Sequence, residues 1–146
     1  MCCFYFLDLI HSDFNEQNIL ISTEEGKVSI KGILDFQDSS YGYTVFDIAI
    51  YIMYMMIQAK EDQIDTGGYA LSGFLSKQKL NDTELSLLYW LVCGRFIQSL
   101  LLGLYNFSIH KDPYLLVTQP GWAVLKKLWE IPPETLIKRW LSIMQH

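Results

Sequence analysis

Two short segments hold nearly all the residues whose types and spacing suggest chemistry. The first is His11-Ser12-Asp13-Phe14-Asn15-Glu16-Gln17-Asn18, which reads H-x-D-x-x-x-x-N; the second is Ile33-Leu34-Asp35-Phe36-Gln37-Asp38, an apolar run ending in acids. Together they give one carboxylate in a short loop, an amide five residues on, and a second carboxylate leaving a strand. Phosphoryl transfer needs this set: a base to orient a hydroxyl and take its proton, and hard oxygen ligands for magnesium. Asp13 is the candidate base, and Asn18 and Asp35 are the candidate metal ligands. Any one of these residues alone would read as an ordinary turn cap. Their conjunction points to a site.

The intervening residues must bring the two segments together. Asn18-Ile19-Leu20-Ile21-Ser22 and Val28-Ser29-Ile30-Lys31-Gly32-Ile33-Leu34 read as strands, joined through the polar turn Glu24-Glu25-Gly26-Lys27. A glycine free to take positive φ suits such a turn. The hairpin would return Asp35 to the end of the sheet from which Asn18 departs. His11 is expected to brace the loop by hydrogen bonding, and Asp38 is either a supporting acid near the metal or a turn residue. Asp47 reads as structural, with Thr44-Val45-Phe46-Asp47 fitting a capping box in which threonine is the cap. Arg95, inside an apolar helix, is expected either to contact substrate or phosphate or to form a buried ion pair with an acid such as Asp47, the second being favoured.

These residues resemble the small-molecule kinases of the aminoglycoside phosphotransferase and choline kinase type, and among them the hydroxylysine kinases. Gly32-Ile33-Leu34-Asp35-Phe36, Ser40-Tyr41-Gly42-Tyr43, Ile52-Met53-Tyr54-Met55-Met56-Ile57 and Leu91-Val92-Cys93 with Arg95-Phe96 extend the likeness from His11 to about Trp129. The resemblance implies the C-terminal lobe of a protein-kinase-like α+β fold, mainly helical with a small β-hairpin. It also implies transfer of a terminal phosphate from GTP or ATP, with Mg2+, to a hydroxyl of a small cationic amine or amino-acid substrate such as 5-hydroxy-L-lysine. No spacing in the chain selects that substrate. Two positions depart from the family pattern: Ser12 stands where glycine is usual and Gln37 where it is frequent.

A kinase of this fold also needs an N-terminal lobe with a phosphate-covering loop and a lysine. The ten residues before His11 contain no lysine, arginine or glycine, and Gly67-Gly68 with Gly73 falls in a helical region. The reading is therefore a catalytic lobe lacking its N-lobe partner. The alternative is a truncated, non-catalytic lobe that acts as a binding module; a metal-dependent hydrolase is weaker still. The opening apolar residues read as a short helix or strand beneath the catalytic loop, not as a targeting signal.

At 146 residues and 51% hydrophobic content, the chain can bury one core as a single domain. Mean hydropathy of +0.17 is high for so short a soluble chain and predicts an exposed apolar patch. A net charge of −5 argues against nucleic-acid binding. Three cysteines without metal spacing suggest free thiols in a reducing cytoplasm. Helices are expected over residues 45–59, 69–80, 82–107, 122–130 and 133–144. The third is opened by a cap at Asn81-Asp82-Thr83-Glu84. It is long enough to span a bilayer, but Arg95 at its middle favours a core helix.

Overall fold

The computed structural model describes residues 7–143. Residues 1–6, with Cys2-Cys3, and the Met144 end of the last expected helix lie outside the described residues. The chain forms β1 (Leu7–Ile10), β2 (Ile19–Glu24), β3 (Lys27–Ile33), β4 (Ser40–Tyr43), then α1 (Thr44–Gln58), α2 (Gln63–Leu75), α3 (Asp82–His110), α4 (Gly121–Trp129) and α5 (Pro133–Ile143). The structure is mainly helical, as expected. It carries two small antiparallel sheets rather than one: β2 with β3, and β1 with β4.

The β2–β3 hairpin closes where Glu24 faces Lys27, and both turn residues, Glu25 and Gly26, take positive φ (52° and 76°). That handedness matches the twist of the paired strands, so the turn chemistry sets the register. Leu7 of β1 pairs with Tyr43 and Ile10 with Ser40. This second ribbon ties the start of the loop that follows β1 to the entrance of α1.

Helix α1 is the hub. Its apolar residues fall on nearly every face, and Ile48, Ile52, Met53 and Met56 are buried among α2, α3, α4 and the β1–β4 ribbon. A helix apolar all round belongs in the middle of a core. Helix α3 contributes Leu88, Val92, Phe96 and Leu100 to the same core. It opens with a full capping box: Asn81 Oδ1 accepts from Glu84 N, and Glu84 Oε2 accepts from Asn81 N, both at 2.9 Å. That exchange lets Glu84 be completely buried. By length and composition α3 could cross a membrane; in this fold one side of it packs against α1, α4 and α5, while Trp90, Leu101, Leu102 and Ile109 on the rest are exposed.

Helix α2 begins six residues earlier than the sequence suggests, at Gln63, and ends before Lys77-Gln78-Lys79. Gly67-Gly68 lies within it, in the helical region expected, although glycines weaken a helix. Packing overrides that cost. Fully buried Trp140 of α5 lies against both glycines, where a Cβ on Gly67 would come 2.6 Å from Trp140 Cζ2 and one on Gly68 would come 2.5 Å from Ile143 Cδ1. Trp140 Nε1 also donates to the Ile64 carbonyl at 2.7 Å.

The expected apolar exposure is spread over the hairpin and its strand exit, where Val28 and Ile30 are each 68% exposed and Phe36 59%, over the β1–β4 ribbon and along the outer side of α3. Below the hairpin lies an open cavity of about 530 Å³ against Ile48, Tyr51, Ala70 and Phe74.

The α2–α5 contact yields a direct test. Gly67→Val forces a branched side chain into the Trp140 ring and should cost about 1–3 kcal/mol, read as a lower urea midpoint. An unchanged midpoint would show that α5 can move away freely.

Candidate active site

The loop between β1 and β2 is built outward from its backbone. His11 N and Ser12 N both donate to the Asp47 carboxylate, to Oδ2 and Oδ1 respectively, each at 2.8 Å. Asp47 is structural, as expected, but by a different route from the capping box. Helix α1 is preceded by Tyr43 with no side-chain cap bond, and Thr44 Oγ1 is buried without a hydrogen-bond partner among the described residues. Asp47 does not reach back to its own helix end; it holds the loop.

His11 is a brace. Its Nε2 donates to the Leu34 carbonyl at 2.8 Å, which fixes the proton on that nitrogen, and its ring packs against Phe36 and edge-on to Phe14. The histidine thereby ties the loop to the strand exit that carries Asp35.

Ser12 has φ +69°, in the left-handed region where residues with a Cβ are strained. Glycine would occupy this backbone at lower cost, so the first departure from the family pattern falls on a position where it matters. Asp35 shares the strain at φ +59°, whereas Gln37 does not.

Asp13 follows in a half-buried position. Asn15 organises it: Asn15 Nδ2 donates to Asp13 Oδ2 at 3.1 Å, while Asn15 Oδ1 accepts from Gln17 N (2.9 Å) and Asn18 N (3.3 Å). Asn18 Nδ2 in turn donates to the Asp13 carbonyl at 2.9 Å. The spacing from Asp13 to Asn18 is thus held by a single-turn 3-10 helix, Glu16–Asn18, capped by Asn15. The sequence reading missed Asn15; an asparagine opening a turn of this kind was the available signal.

The hairpin brings the second carboxylate to the same end. Ile19 pairs with Ile33, and Leu34 N donates to the Asn18 carbonyl at 2.8 Å, so Asp35 is the residue after Asn18's direct partner. Among the described residues, no three His, Cys, Asp or Glu side chains converge as a closed metal cage. Asn18 and Asp35 offer instead two hard oxygen donors at one sheet end. Magnesium suits such a pair, because its remaining positions go to water and phosphate oxygens.

The Asp13 carboxyl is held above its ordinary range. Burial is the main cause and the Asp38 charge adds to it; the Asn15 bond and the Arg95 and His11 charges pull the other way. Arg95 does not pair with Asp47, because Asp47 already serves the loop. Its Nη1 donates to Gln98 Oε1 at 2.7 Å and its charge bears on Asp13.

This arrangement is matched by sequence. Residues 7–78 fit the model of the phosphotransferase enzyme family. The chain belongs to that family. Among curated relatives, the hydroxylysine kinase of Danio rerio is 41% identical over 139 residues, covering 92% of this chain and 39% of that protein. Those of Bos taurus (41%) and Mus musculus (40%) each cover 90% of the chain and 37% of their own length. The chain therefore spans about two-fifths of the length of the curated relatives it matches. No solved structure matches. The phosphotransferase match implies a kinase-like fold, and it ends just past α2; similarity to the hydroxylysine kinases continues through α3 and beyond.

Asp47→Asn should cost about 2–3 kcal/mol in chemical denaturation, because one amide oxygen replaces two charged acceptors and an NH2 faces an N–H. A variant as stable as the parent would show that the loop is held by β1–β4 pairing instead.

Proposed function

We propose that this chain carries the catalytic loop of a small-molecule kinase. In this reading it moves the terminal phosphate of GTP or ATP to a side-chain hydroxyl of a small cationic amine or amino-acid substrate, 5-hydroxy-L-lysine foremost. One observation carries the reading: the loop holding Asp13 and the hairpin exit holding Asp35 are joined through Asn18 and Leu34. Relatives named hydroxylysine kinases support the choice of substrate.

Asp13 orients the hydroxyl and takes its proton as the oxygen attacks the terminal phosphorus; the bond to the bridging oxygen breaks, and a nucleoside diphosphate leaves. Asn18 and Asp35 would hold magnesium, whose chemistry is to neutralise charge on the phosphates. His11 keeps the loop in register with Asp35, and Asp38 is a supporting acid whose charge favours proton uptake by Asp13. A cytoplasmic setting fits the free Cys93, whose thiol is buried in the core and pushed up to about 11 by that burial. A second reading, a non-catalytic lobe that serves as a binding module, draws on the exposed apolar side chains of the hairpin.

Asp13→Asn separates the two. Turnover of 5-hydroxy-L-lysine with magnesium and GTP or ATP should fall about 10²- to 10⁴-fold. Unchanged turnover sinks Asp13 as the base, and no turnover by either form favours the binding module.

The pH dependence has a definite sign. The folded chain holds the Asp13 proton more tightly than the unfolded chain does. Stability therefore declines as pH rises from the ordinary value near 3.8 through the raised one. Asp13→Asn should consequently keep or raise the melting temperature at neutral pH. The acid limb of kcat/KM should lie above the ordinary aspartate range, and a limb at or below 3.8 would contradict this assignment.

A further inference from the structure

Behind Asp13, three elements bring together polar groups that the phosphoryl-transfer scheme does not use. Glu16 comes from the 3-10 turn, Tyr54 and Gln58 from successive turns of α1, and Arg95 and Ser99 from successive turns of α3. Gln58 Nε2 donates to Glu16 Oε1 at 2.7 Å, and Arg95 Nη1 donates to Gln98. The remaining atoms of those two charged groups are less well served. Glu16 Oε2 and Arg95 Nε are both buried without a hydrogen-bond partner among the described residues. The Tyr54 hydroxyl ties the cluster together: burial, then the charges of Asp13 and Glu16, push its pKa up, while Arg95 and a hydrogen bond with Ser99 act against them.

A buried acceptor and a buried donor that each lack a partner carry a desolvation penalty which a complementary ligand removes. Arg95 is the cation in a region that also holds Asp13, Glu16 and Asp38. That balance disfavours a triphosphate, which brings several negative charges. It suits a ligand that carries a carboxylate and an ammonium on one small frame.

We propose that Arg95 and Glu16 are the substrate-recognition pair, with Arg95 receiving the carboxylate of an amino-acid substrate and Glu16 an ammonium group, beside the hydroxyl held by Asp13. This deepens the kinase reading above and rests on it. The guanidinium provides a planar fork that matches a carboxylate in a way a lysine does not. An amino acid, rather than a simple amino alcohol, is then the preferred class.

The test is a binding comparison on the chain itself, by calorimetry, between 5-hydroxy-L-lysine and its decarboxylated counterpart 1,5-diaminopentan-2-ol. The parent should prefer the amino acid by about tenfold or more, the scale of one charge-assisted bidentate contact. Arg95→Gln should erase that preference, and Arg95→Lys should restore part of it. Glu16→Gln should weaken both ligands alike and leave the preference intact. Melting curves verify that each variant is folded. Equal affinity of the parent for the two ligands, no affinity for either, or a preference that survives Arg95→Gln overturns the proposal. A chain that binds magnesium–nucleotide yet ignores the carboxylate keeps the kinase reading and loses this one. A chain that prefers the carboxylate yet binds no nucleotide does the reverse.

Discussion

The Asp47 carboxylate accepts the main-chain N–H groups of His11 and Ser12, 36 and 35 residues earlier in the chain, and these two bonds place everything else in the site. Asp47 sits in the first turn of α1, the helix that the core grips on nearly all sides. The position of the loop is therefore inherited from a helix fixed deep in the core. Charge-assisted bonds to backbone N–H groups are stronger than neutral ones, and they offset the strain of Ser12 at positive φ. From that anchor the order runs one way. His11 reaches Leu34, Asn15 and Asn18 shape the turn around Asp13, and the hairpin register delivers Asp35.

The local geometry of the candidate site was more legible in the sequence than the fold that supports it. The H-x-D-x-x-x-x-N spacing and the hairpin turn at Glu25-Gly26 are local features, and local geometry enforces them. The capping box at Asn81 and Glu84 was readable for the same reason. The errors arose where a distant partner decides. The start of α2 is one such place: two glycines count against a helix by propensity, and only Trp140, more than seventy residues on, explains why the helix runs through them. Asp47 looked like part of its own cap because Thr44 stands three residues before it. The loop it serves is remote in sequence and leaves no local trace. The second sheet was hidden likewise, since Leu7–Ile10 and Ser40–Tyr43 are too short to declare themselves before they pair.

Arg95 shows how one mistaken partner changes a functional reading. Paired with Asp47 it would be a closed structural contact. With Asp47 committed to the loop, Arg95 is left to act on Asp13 from α3. It lowers the cost of the Asp13 charge that burial and Asp38 raise. The opposing influences leave a carboxyl that is harder to ionise than a surface aspartate yet is not isolated in an apolar wall. The proposed role as a base is served by that compromise: a proton affinity above that of a surface aspartate, and a nearby cation that offsets part of the cost of ionisation.

Taken with the orphaned atoms of Glu16 and Arg95, this balance separates two kinds of acidic surroundings around one loop. At the hairpin end, Asn18 and Asp35 present oxygen donors alone, an environment suited to a hard cation and the phosphates it carries. On the α1–α3 side, acid and base alternate through Glu16, Tyr54 and Arg95, an environment suited to a zwitterion. Asp13 lies where the two meet. In the proposed reaction a hydroxyl held from one side would face a phosphate held from the other, and the division of charge across the loop, rather than any single residue, would keep the two apart until they meet at Asp13.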